Sequence, residues 1–465
     1  VWDITEPDAI RALGTQAEGG SYLVQVEVTD LTAPRELVAF VPTSGRIAQP
    51  PAGQAVANQN LHGLTGFPDF IIVTHADFLP AAQTLADYRR DRDGLRVLVV
   101  DVEQVYNEFS GGHVDMRAAR DFMTFLNDRA ETPGQLPDYL LLFGDGHYDF
   151  RGIQAGRRDD GGVVDNYVPM FESDESLVLE QSYTSDDYFG LLDDDEGEWP
   201  YISLAAVSNE RVDVGIGRFP VRTLAEAEAM VAKVQRYEDP ANFGPWRTRY
   251  TFLSDDNNPS PRDADLHLQN IDVVAVNAVQ PAAPYMIQQK VYTLSYTPEV
   301  TAVGRRYPQA SADAVRAINE GTLVWNYAGH GGIERLADES LLDREAIAGL
   351  TNVGRPTVCI TATCSFGRMD MIDNQSAAER MFLLPEGGGI AMLTTLRVVF
   401  TSASLETLNT ALNLRLNEAL FVREADGRPR RLGDIVRTTK NTDDGAESNN
   451  RKFALLGDPT LRLGL

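Results

Sequence analysis

The sequence predicts an α/β fold built on mostly parallel sheets. From Phe67 onward, short apolar runs rich in β-branched residues alternate with amphipathic segments, which is the pattern of strands joined by crossover helices. The pattern breaks at Pro240–Trp246 and then resumes, so we expect two α/β blocks. A chain of 465 residues is long enough to give each block its own hydrophobic core.

Three regions follow from this pattern. Residues 1–65 contain short strand-like pieces and a linker rich in Pro, Gly and Asn, so we predict a β-rich N-terminal segment, the tail of a domain whose beginning is missing. Residues 66–242 form a first αβ subdomain, and residues 243–465 form a second one that carries the chemistry.

Each element of the first block is predicted from its periodicity. Apolar residues that recur at helical spacing, such as Ala227, Met230, Val231 and Val234, indicate a helix face turned towards the core. The predicted elements are a strand at Asp69–His75, a helix at Pro80–Arg92, a strand at Leu95–Val102, a helix at Val114–Arg129, a strand at Tyr139–Phe143 and a helix at Ala225–Glu238.

The second block is read in the same way. Its predicted elements are a strand at Tyr250–Ser254, helices at Ala264–Val276 and Ala312–Glu320, two strands at Leu323–Tyr327 and Val358–Thr363, a helix at Ala377–Leu384, a strand at Gly389–Thr395, a helix at Leu405–Val422 and a last strand-like piece at Phe453–Leu456.

Composition excludes several classes of function. A net charge of −27 argues against nucleic acid as a partner, because nucleic-acid binding needs a basic surface. Hydrophobic residues make up 43% and charged residues 23%, as in soluble globular proteins, and no apolar run reaches the length of a membrane helix. Two cysteines exclude a disulfide scaffold.

Two strands of the second block each end at a reactive side chain. Leu323–Tyr327 leads into Gly329-His330-Gly331-Gly332, and Val358–Thr363 leads into Cys364. In parallel sheets the ligand crevice lies beyond the carboxyl ends of the strands, so His330 and Cys364 are expected to meet there. A neighbouring imidazole lowers the pKa of a thiol and carries its proton onward, so the pair is suited to nucleophilic catalysis.

Glycines around His330 fit the same interpretation. They let substrate backbone approach closely, and they leave amide N–H groups to face a developing oxyanion. We predict the backbone N–H groups of Gly331 and Cys364 as oxyanion donors, with Gly332 beside the substrate. The alternative is a buried cysteine at a strand end and an ordinary Gly-rich turn.

The other cysteine is interpreted differently. Cys359 lies in the middle of its predicted strand and is expected to be an inert core thiol. Five residues at about 3.3 Å each place it about 16 Å from Cys364, too far for a disulfide. Cys364 is therefore expected to be a free thiol.

The motifs NYAGHGG and TATCSFGRMD resemble the His and Cys motifs of the gingipain-type cysteine peptidases, a family with a caspase-like fold. The closer resemblance is to the branch of sortases, or signal peptidases, of the type IX secretion system. It extends over most of the chain through the segments YNEFSGGHVDMRAARDF at 106–122, YLLLFGDGHYDFRG at 139–152, SYTSDDYFG at 182–190, VGIGRFPVRTLAEAEAMVAKVQRYE at 214–238, GGGIAMLTTLRVVF at 387–400 and LLGDPTLRL at 455–463.

The resemblance implies an αβα sandwich of two subdomains side by side and a cysteine peptidase or transpeptidase activity. It implies that the substrates are C-terminal sorting domains of secreted cargo, removed at the outer-membrane surface of a bacterium. Implied partners are a lipopolysaccharide-type amine acceptor and outer-membrane secretion components. No cofactor is required for the chemistry, and structural Ca²⁺ is a further expectation.

An orienting carboxylate is the third site expectation. Asp255 and Asp256 follow the strand TFLSDD, and the resemblance implies an acidic residue there that orients the catalytic His. Such a carboxylate fixes the imidazole tautomer and stabilises the imidazolium. Of the two, Asp256 is slightly favoured, and a solvated acidic loop is the equal alternative because the following residues are rich in turn formers.

Two further residues are candidates for substrate binding. Asp265 stands near the place where arginine-specific gingipains carry a specificity aspartate, and its alternative is a favourable charge in the first turn of a helix. Arg397 follows the strand GGGIAMLTTL, close in sequence to Arg368 and Asp370. It is expected to hold a substrate carboxylate or a crevice aspartate, with a structural ion pair as the alternative.

Oxygen-rich loops raise the question of calcium. The candidate ligands are Asp145, His147 and Asp149 in one loop and Asp186, Asp187, Asp193–Asp195 and Glu196 in another. Asp clusters with Gly can bind Ca²⁺, but the order of an EF-hand is missing, and solvated carboxylates are the alternative. The metal ligands are left unassigned, and no zinc signature is found.

Three functions remain open at this stage: a thiol peptidase or transpeptidase of the sortase branch, a secreted gingipain-like endopeptidase, and a non-catalytic, calcium-stabilised surface protein of the same fold. The presence of both His330 and Cys364 favours the first two over the third.

Overall fold

The computed structural model describes residues 1–6, 9–26, 34–41, 59–158, 162–173, 177–194, 196–197, 210–256, 265–302, 304–402, 404, 407–442 and 449–464. The chain falls into two compact units, residues 1–59 and residues 60–465. The described part of the first unit is β-rich, with the short strands Trp2–Asp3, Arg11–Ala12 and Leu37–Val38 in one antiparallel sheet and the hairpin Thr15–Glu18 and Ser21–Val24 beside them in sequence.

The second unit contains a ten-stranded sheet. Its strands are β1 (Phe70–Thr74), β2 (Val97–Asp101), β3 (Tyr139–Phe143), β4 (Gly215–Phe219), β5 (Arg249–Ser254), β6 (Ile287–Tyr292), β7 (Val324–Ala328), β8 (Thr357–Ala362), β9 (Gly389–Thr395) and β10 (Phe453–Leu456). Their order across the sheet is β6-β5-β7-β8-β9-β10-β4-β3-β1-β2.

The strand directions confirm the predicted fold class. Within each half, neighbouring strands run parallel, and β10 runs antiparallel to β9. The last strand in the sequence lies between β9 of the second half and β4 of the first, so it joins the two halves into one sheet. The boundary between subdomains at residue 242 stays a prediction.

Helices cover the sheet. The longer ones are α1 (Leu79–Asp93), α2 (Val102–Phe109), α3 (Met116–Asp128), α4 (Leu224–Glu238), α5 (Leu266–Val273), α6 (Pro308–Glu320), α7 (Ala377–Leu383), α8 (Leu408–Leu420) and α9 (Leu432–Thr442). None of the described helices is both long and apolar enough to cross a membrane.

Alternation along the strands places side chains on two faces. Phe70 and Ile72 of β1 belong to the core cluster that includes residues of α1 and α4, whereas Ile71 and Val73 belong to the cluster that includes residues of α2 and α3. Period-two alternation in a strand that is buried on both faces explains why β1 reads as a continuous apolar run. The layers are therefore helix, sheet and helix.

Four of the elements named above were not predicted from the sequence: α2, β4, β6 and α9. The physical reason is clear for β6 and α9. β6 lies at the edge of the sheet, and its first residues are exposed or half-buried, so the apolar run that marks a central strand is missing there. α9 carries polar and charged residues at most positions and buries only a narrow stripe with Leu432 and Ile435. In both cases tertiary packing, rather than local pattern, decides the conformation.

Candidate active site

His330 and Cys364 emerge side by side from two neighbouring parallel strands. Ala328 of β7 pairs with Ala362 of β8, and each of the two candidates follows two residues after its paired alanine. Both side chains are half-buried and line the same cavity of about 120 Å³. Because the two alanines are paired and each candidate lies two residues beyond its alanine, two residues that are far apart in the sequence come together.

The cavity is lined by both polar and apolar groups and carries no carboxylate among the described residues that line it. Its other lining residues come from α5, from the ends of β7 and β8 and the turns that follow them, from the segment between β9 and α8, and from the first turns of α8: His267, Asn270, Ala328, Gly329, Ala362, Thr363, Val399, Thr401, Asn409, Thr410 and Asn413. One of the lining amides already has a partner, since Asn413 and Asn326 exchange hydrogen bonds of 2.9 and 3.1 Å. The amides and hydroxyls that line the cavity are neutral hydrogen-bonding groups.

The thiol of Cys364 faces a backbone carbonyl. Its Sγ donates to the carbonyl oxygen of Val399 at 3.5 Å. Burial raises the pKa of Cys364, and the nearby charge of Lys452 opposes this effect in part. The sequence analysis expected the imidazole to lower the thiol pKa, whereas in the structure burial is the largest influence on this pKa and raises it.

The chain turns sharply directly after Cys364. Ser365 has a φ of 51°, in the left-handed region that a residue with a Cβ occupies at a cost of about 1 kcal/mol or more. Its N–H donates to the carbonyl oxygen of Arg397 at 3.2 Å. The turn lets the chain leave the direction of β8 directly after Cys364.

Two groups fix the backbone of His330. The carboxylate of Asp255 accepts the His330 N–H at 2.9 Å, and the Tyr327 hydroxyl donates to the His330 carbonyl at 2.6 Å. Asp255 also accepts the N–H of Asp256 at 2.8 Å, and burial raises the pKa of Asp255 to about 7. Asp255 follows β5, His330 follows the neighbouring strand β7, and Cys364 follows β8. The same edge of the sheet therefore supplies all three residues.

Gly329 is required by close packing. A Cβ at this position would overlap the Tyr327 hydroxyl and the Cβ of Asp255. Glycine therefore lets the carboxylate and the phenol reach the backbone of His330 from both sides. Gly329 thus has a structural role that does not depend on substrate, in addition to the role predicted for the glycines around His330.

Asp256, the aspartate that the sequence analysis favoured, has a different neighbour. Its Oδ2 lies 2.6 Å from Nη2 of Arg305, and Arg305 also pairs with Glu339 at 3.3 Å. The structure thus places Asp255, not Asp256, against the backbone of His330. The three carboxylates of Asp255, Asp256 and Glu339 bring oxygen atoms within 4.8 Å of one another, and Arg305 supplies positive charge to two of them.

His267 is a site residue that sequence reasoning missed. Its ring lies edge-to-face against the His330 ring, with centroids 4.9 Å apart and planes at 82°. It is buried on α5, where it lines the cavity together with Asn270. Asp265, the predicted specificity aspartate, is exposed at the N-cap of the same helix and is not among the lining residues. The available signal was helical spacing, because residues 267 and 270 share a face.

The predicted oxyanion donor Gly331 lies against β8. It forms a short strand with Gly332 that pairs with Arg335–Leu336, and the hairpin bond runs from the Ala337 N–H to the His330 carbonyl at 2.9 Å. Gly331 thus occupies a non-hydrogen-bonded position of the hairpin. A Cβ on Gly331 would overlap the Thr363 side chain, next to Cys364, whereas a Cβ on Gly332 would meet no atom within 4 Å.

Arg397 is occupied by a protein carboxylate. Its Nη1 donates to Asp370 at 2.8 Å, its Nη2 contacts the second oxygen of the same carboxylate, and Arg368 contacts Asp370 at 3.1 Å. The buried pair favours the structural alternative stated above over a substrate carboxylate. Arg397 still borders the site, since its carbonyl receives the Ser365 N–H.

Most of the oxygen-rich loop residues have partners within the protein. Asp145 pairs with Arg222 at 2.5 Å, and Asp149 accepts the N–H groups of Ile153, Gln154 and Ala155. Nε2 of His147 lies 2.8 Å from the carbonyl of Val164. These contacts organise the loop after β3, and calcium stays a prediction.

The second oxygen-rich loop shows the same pattern. Asp186 pairs with Arg218 at 2.7 Å and Asp187 with Lys440 at 2.6 Å, all four being buried. Glu196 accepts the Arg211 N–H at 2.7 Å, and Asp195 lies outside the described residues. These buried pairs connect the loop to β4 and α9, and loss of one partner would leave an uncompensated buried charge.

An α/β sheet whose strand ends bring a thiol and an imidazole to one cavity is the arrangement of a cysteine peptidase. The model of peptidase family C25 matches residues 65–464, so the chain belongs to this family of cysteine peptidases. A comparison with curated protein sequences gives no match.

Solved structures support the fold. The Arg-specific cysteine proteinase gingipain R (RgpB) is similar with a TM-score of 0.60 and 18% identity, covering 85% of this chain and 78% of that one. The complex of pro- and mature domains of RgpB from Porphyromonas gingivalis gives 0.58 and 18%, covering 85% and 79%. Dimeric latent PorU from Porphyromonas gingivalis gives 0.48 and 27%, covering 88% of this chain and 31% of that one.

Proposed function

We propose that this cysteine peptidase acts through Cys364 and His330. The observation that carries the proposal is their equal offset beyond the paired alanines of β7 and β8, which places both side chains in one cavity. His330 takes the thiol proton, and the sulfur attacks a substrate carbonyl to form an acyl-enzyme, with the proton then passing to the leaving amine. Water or an amine acceptor completes the reaction.

The surroundings of the pair suit this chemistry. Asp255 and Tyr327 hold the backbone of His330, and Gly331 approaches the strand that ends at Cys364, where its N–H and that of Cys364 would face the oxyanion. His330 is the base in this scheme because the buried thiol does not ionise readily by itself.

We further propose a sortase-like role. The substrates would be C-terminal sorting domains of cargo of the type IX secretion system, removed at the bacterial cell surface, with the cargo passed to water or to a lipopolysaccharide-type amine. Support comes from the ordered motifs at 106–122, 139–152 and 182–190, which resemble that branch. No cofactor takes part in this chemistry, and structural calcium is proposed as an addition that metal analysis of the purified protein would test.

A secreted endopeptidase of the gingipain type is the second candidate. Cleavage after arginine calls for a carboxylate at the bottom of the specificity pocket, and the described lining of the cavity provides neutral amides and hydroxyls instead. The neutral lining therefore favours the sortase-like proposal over a trypsin-like activity.

The test is incubation of the purified protein with two substrates, a fusion that ends in a sorting domain and a matched peptide with arginine at the cleavage position. Mass analysis should show a product and an acyl-enzyme adduct on Cys364 with the first substrate only. Cleavage of the arginine peptide alone would favour the second candidate. If neither substrate is cleaved, and Cys364 also fails to react with an alkylating agent, the non-catalytic alternative remains.

A further inference from the structure

Lysine is used sparingly in this protein and mostly in its interior. The sequence contains only four lysines among 41 basic residues. Three of them are buried, with Lys233 exposed by 2%, Lys440 by 6% and Lys452 by 0%. A lysine ammonium is a compact charge with three donors, so it can be enclosed by backbone carbonyls where the larger guanidinium of arginine would not fit.

Lys452 uses its ammonium to bind two segments of the chain. Its Nζ donates to the Val398 carbonyl at 2.8 Å and to the Glu180 carbonyl at 2.6 Å. Its own carbonyl accepts the Leu396 N–H at 2.8 Å. Lys452 precedes β10, so the strand that joins the two halves of the sheet also fixes the segment after β9.

The same segment holds the candidate nucleophile. The thiol of Cys364 donates to the carbonyl of Val399, the residue after the one that binds the ammonium. The thiol and the ammonium therefore bind the carbonyls of two consecutive residues, and the ammonium is fully buried. A buried positive charge near a thiol stabilises the thiolate more strongly than a charge at the surface would.

Other charged groups near the pair do not replace Lys452. Arg397 is engaged by Asp370, Glu180 contributes a negative charge near the ammonium, and the imidazoles of His330 and His267 line the same cavity as Cys364. Burial lowers the pKa of Lys452 to about 8, and the charge of an ionised Cys364 opposes that shift.

We propose that Lys452 is a positioning residue for the nucleophile, holding residues 398–399 against Cys364 and favouring its thiolate by charge. The inference rests on the proposed role of Cys364. Lys452 neither receives nor gives a proton in the proposed reaction, because the thiol proton goes to His330.

The test is the pH dependence of alkylation of the native protein by iodoacetamide, with peptide mapping to read Cys364. The variant Lys452→Gln keeps an N–H donor for the carbonyls but removes the charge. Below pH 8 its alkylation rate is expected to be about tenfold lower than that of the wild type. At high pH the two rates should converge, because Cys364 is then ionised in both proteins. Superimposable curves for the two proteins would overturn the proposal.

Lys233→Gln is the matched control. Lys233 is also buried and donates to carbonyls, including that of Leu384 at 2.7 Å, but its neighbouring thiol is Cys359. Its loss should reduce stability without moving the Cys364 curve. An equal displacement in both variants would mean that the effect arises from general loosening, and the proposal would be wrong.

A second measurement covers the case in which Lys452→Gln does not fold. With only four lysines, the ¹³Cε signals of labelled lysine are resolvable, and the titration curve of Lys452 should respond to the ionisation of Cys364, a response that Cys364→Ala removes. Identical Lys452 curves in the two proteins over the whole pH range in which Cys364 ionises would refute the inference. Failure of the proposed function is separate, since it would show as peptide cleavage that survives Cys364→Ala.

Discussion

The carboxylate of Asp255 accepts the backbone N–H of His330 at 2.9 Å, and the hydroxyl of Tyr327 donates to the carbonyl of the same residue. His330 is thus fixed through both of its backbone polar groups before any substrate arrives. This relationship explains why Gly329 precedes the histidine, and it makes Asp255 rather than Asp256 the acidic residue with the larger expected effect on catalysis.

The first prediction concerns the nucleophile. Cys364→Ala should reduce cleavage of a sorting-domain fusion on the order of 10⁴-fold or more, because the covalent route is lost. Cys359→Ala is the control: this thiol is fully buried in β8, so the change should cost about 1 kcal/mol of stability and leave turnover nearly unchanged. Loss of activity in a folded Cys359→Ala protein would contradict the assignment.

The second prediction concerns the base. His330→Ala should lower turnover by about 10²–10⁴-fold, the usual contribution of a general base. It should also slow alkylation of Cys364 near neutral pH, since the thiol loses its proton acceptor. His267→Ala provides the comparison, because this ring lies against His330 but belongs to α5 and not to the end of a strand. Rates of alkylation against pH that do not change in His330→Ala would show that the two side chains do not pair.

The third prediction separates the two aspartates. Asp255→Asn keeps one acceptor oxygen but replaces the other with an NH₂ group, so it cannot accept the N–H groups of both His330 and Asp256, and it should lower kcat more than it raises KM. Asp256→Asn should act mainly on stability, because it weakens the pair with Arg305. Steady-state kinetics and urea unfolding of both variants check this division. A larger loss of kcat in Asp256→Asn would restore the assignment that the sequence favoured.

The fourth prediction follows from the pKa of Asp255. Burial raises this pKa from 3.8 to about 7, so between these values the folded protein binds more protons than the unfolded chain. The free energy of unfolding should therefore fall as the pH rises through this window, and Asp255→Asn should flatten that dependence. Urea midpoints at several pH values would measure it, and identical pH profiles of both proteins would disprove it.

The fifth prediction concerns Gly329→Ala. The added methyl group overlaps Tyr327 and Asp255, so we expect a loss of about 1–3 kcal/mol in stability and a displaced His330. Gly332→Ala is the matched control, because a Cβ there meets nothing within 4 Å. Thermal unfolding and turnover of the pair should differ clearly. Equal behaviour would mean that the two glycines are required for the same reason.

The sequence by itself determined the fold class, the strand ends that carry His330 and Cys364, and the inert position of Cys359. These features depend on local pattern, because apolar runs, helical periodicity and the places where they stop are written in consecutive residues. The residues that surround the pair were decided by tertiary structure. His267 reaches the cavity from a helix, Lys452 binds the carbonyl of Val398 from a segment near the end of the chain, and Asp256 pairs with Arg305. Such contacts join residues that are distant in sequence and depend on the register and packing of the whole sheet, which no local pattern records.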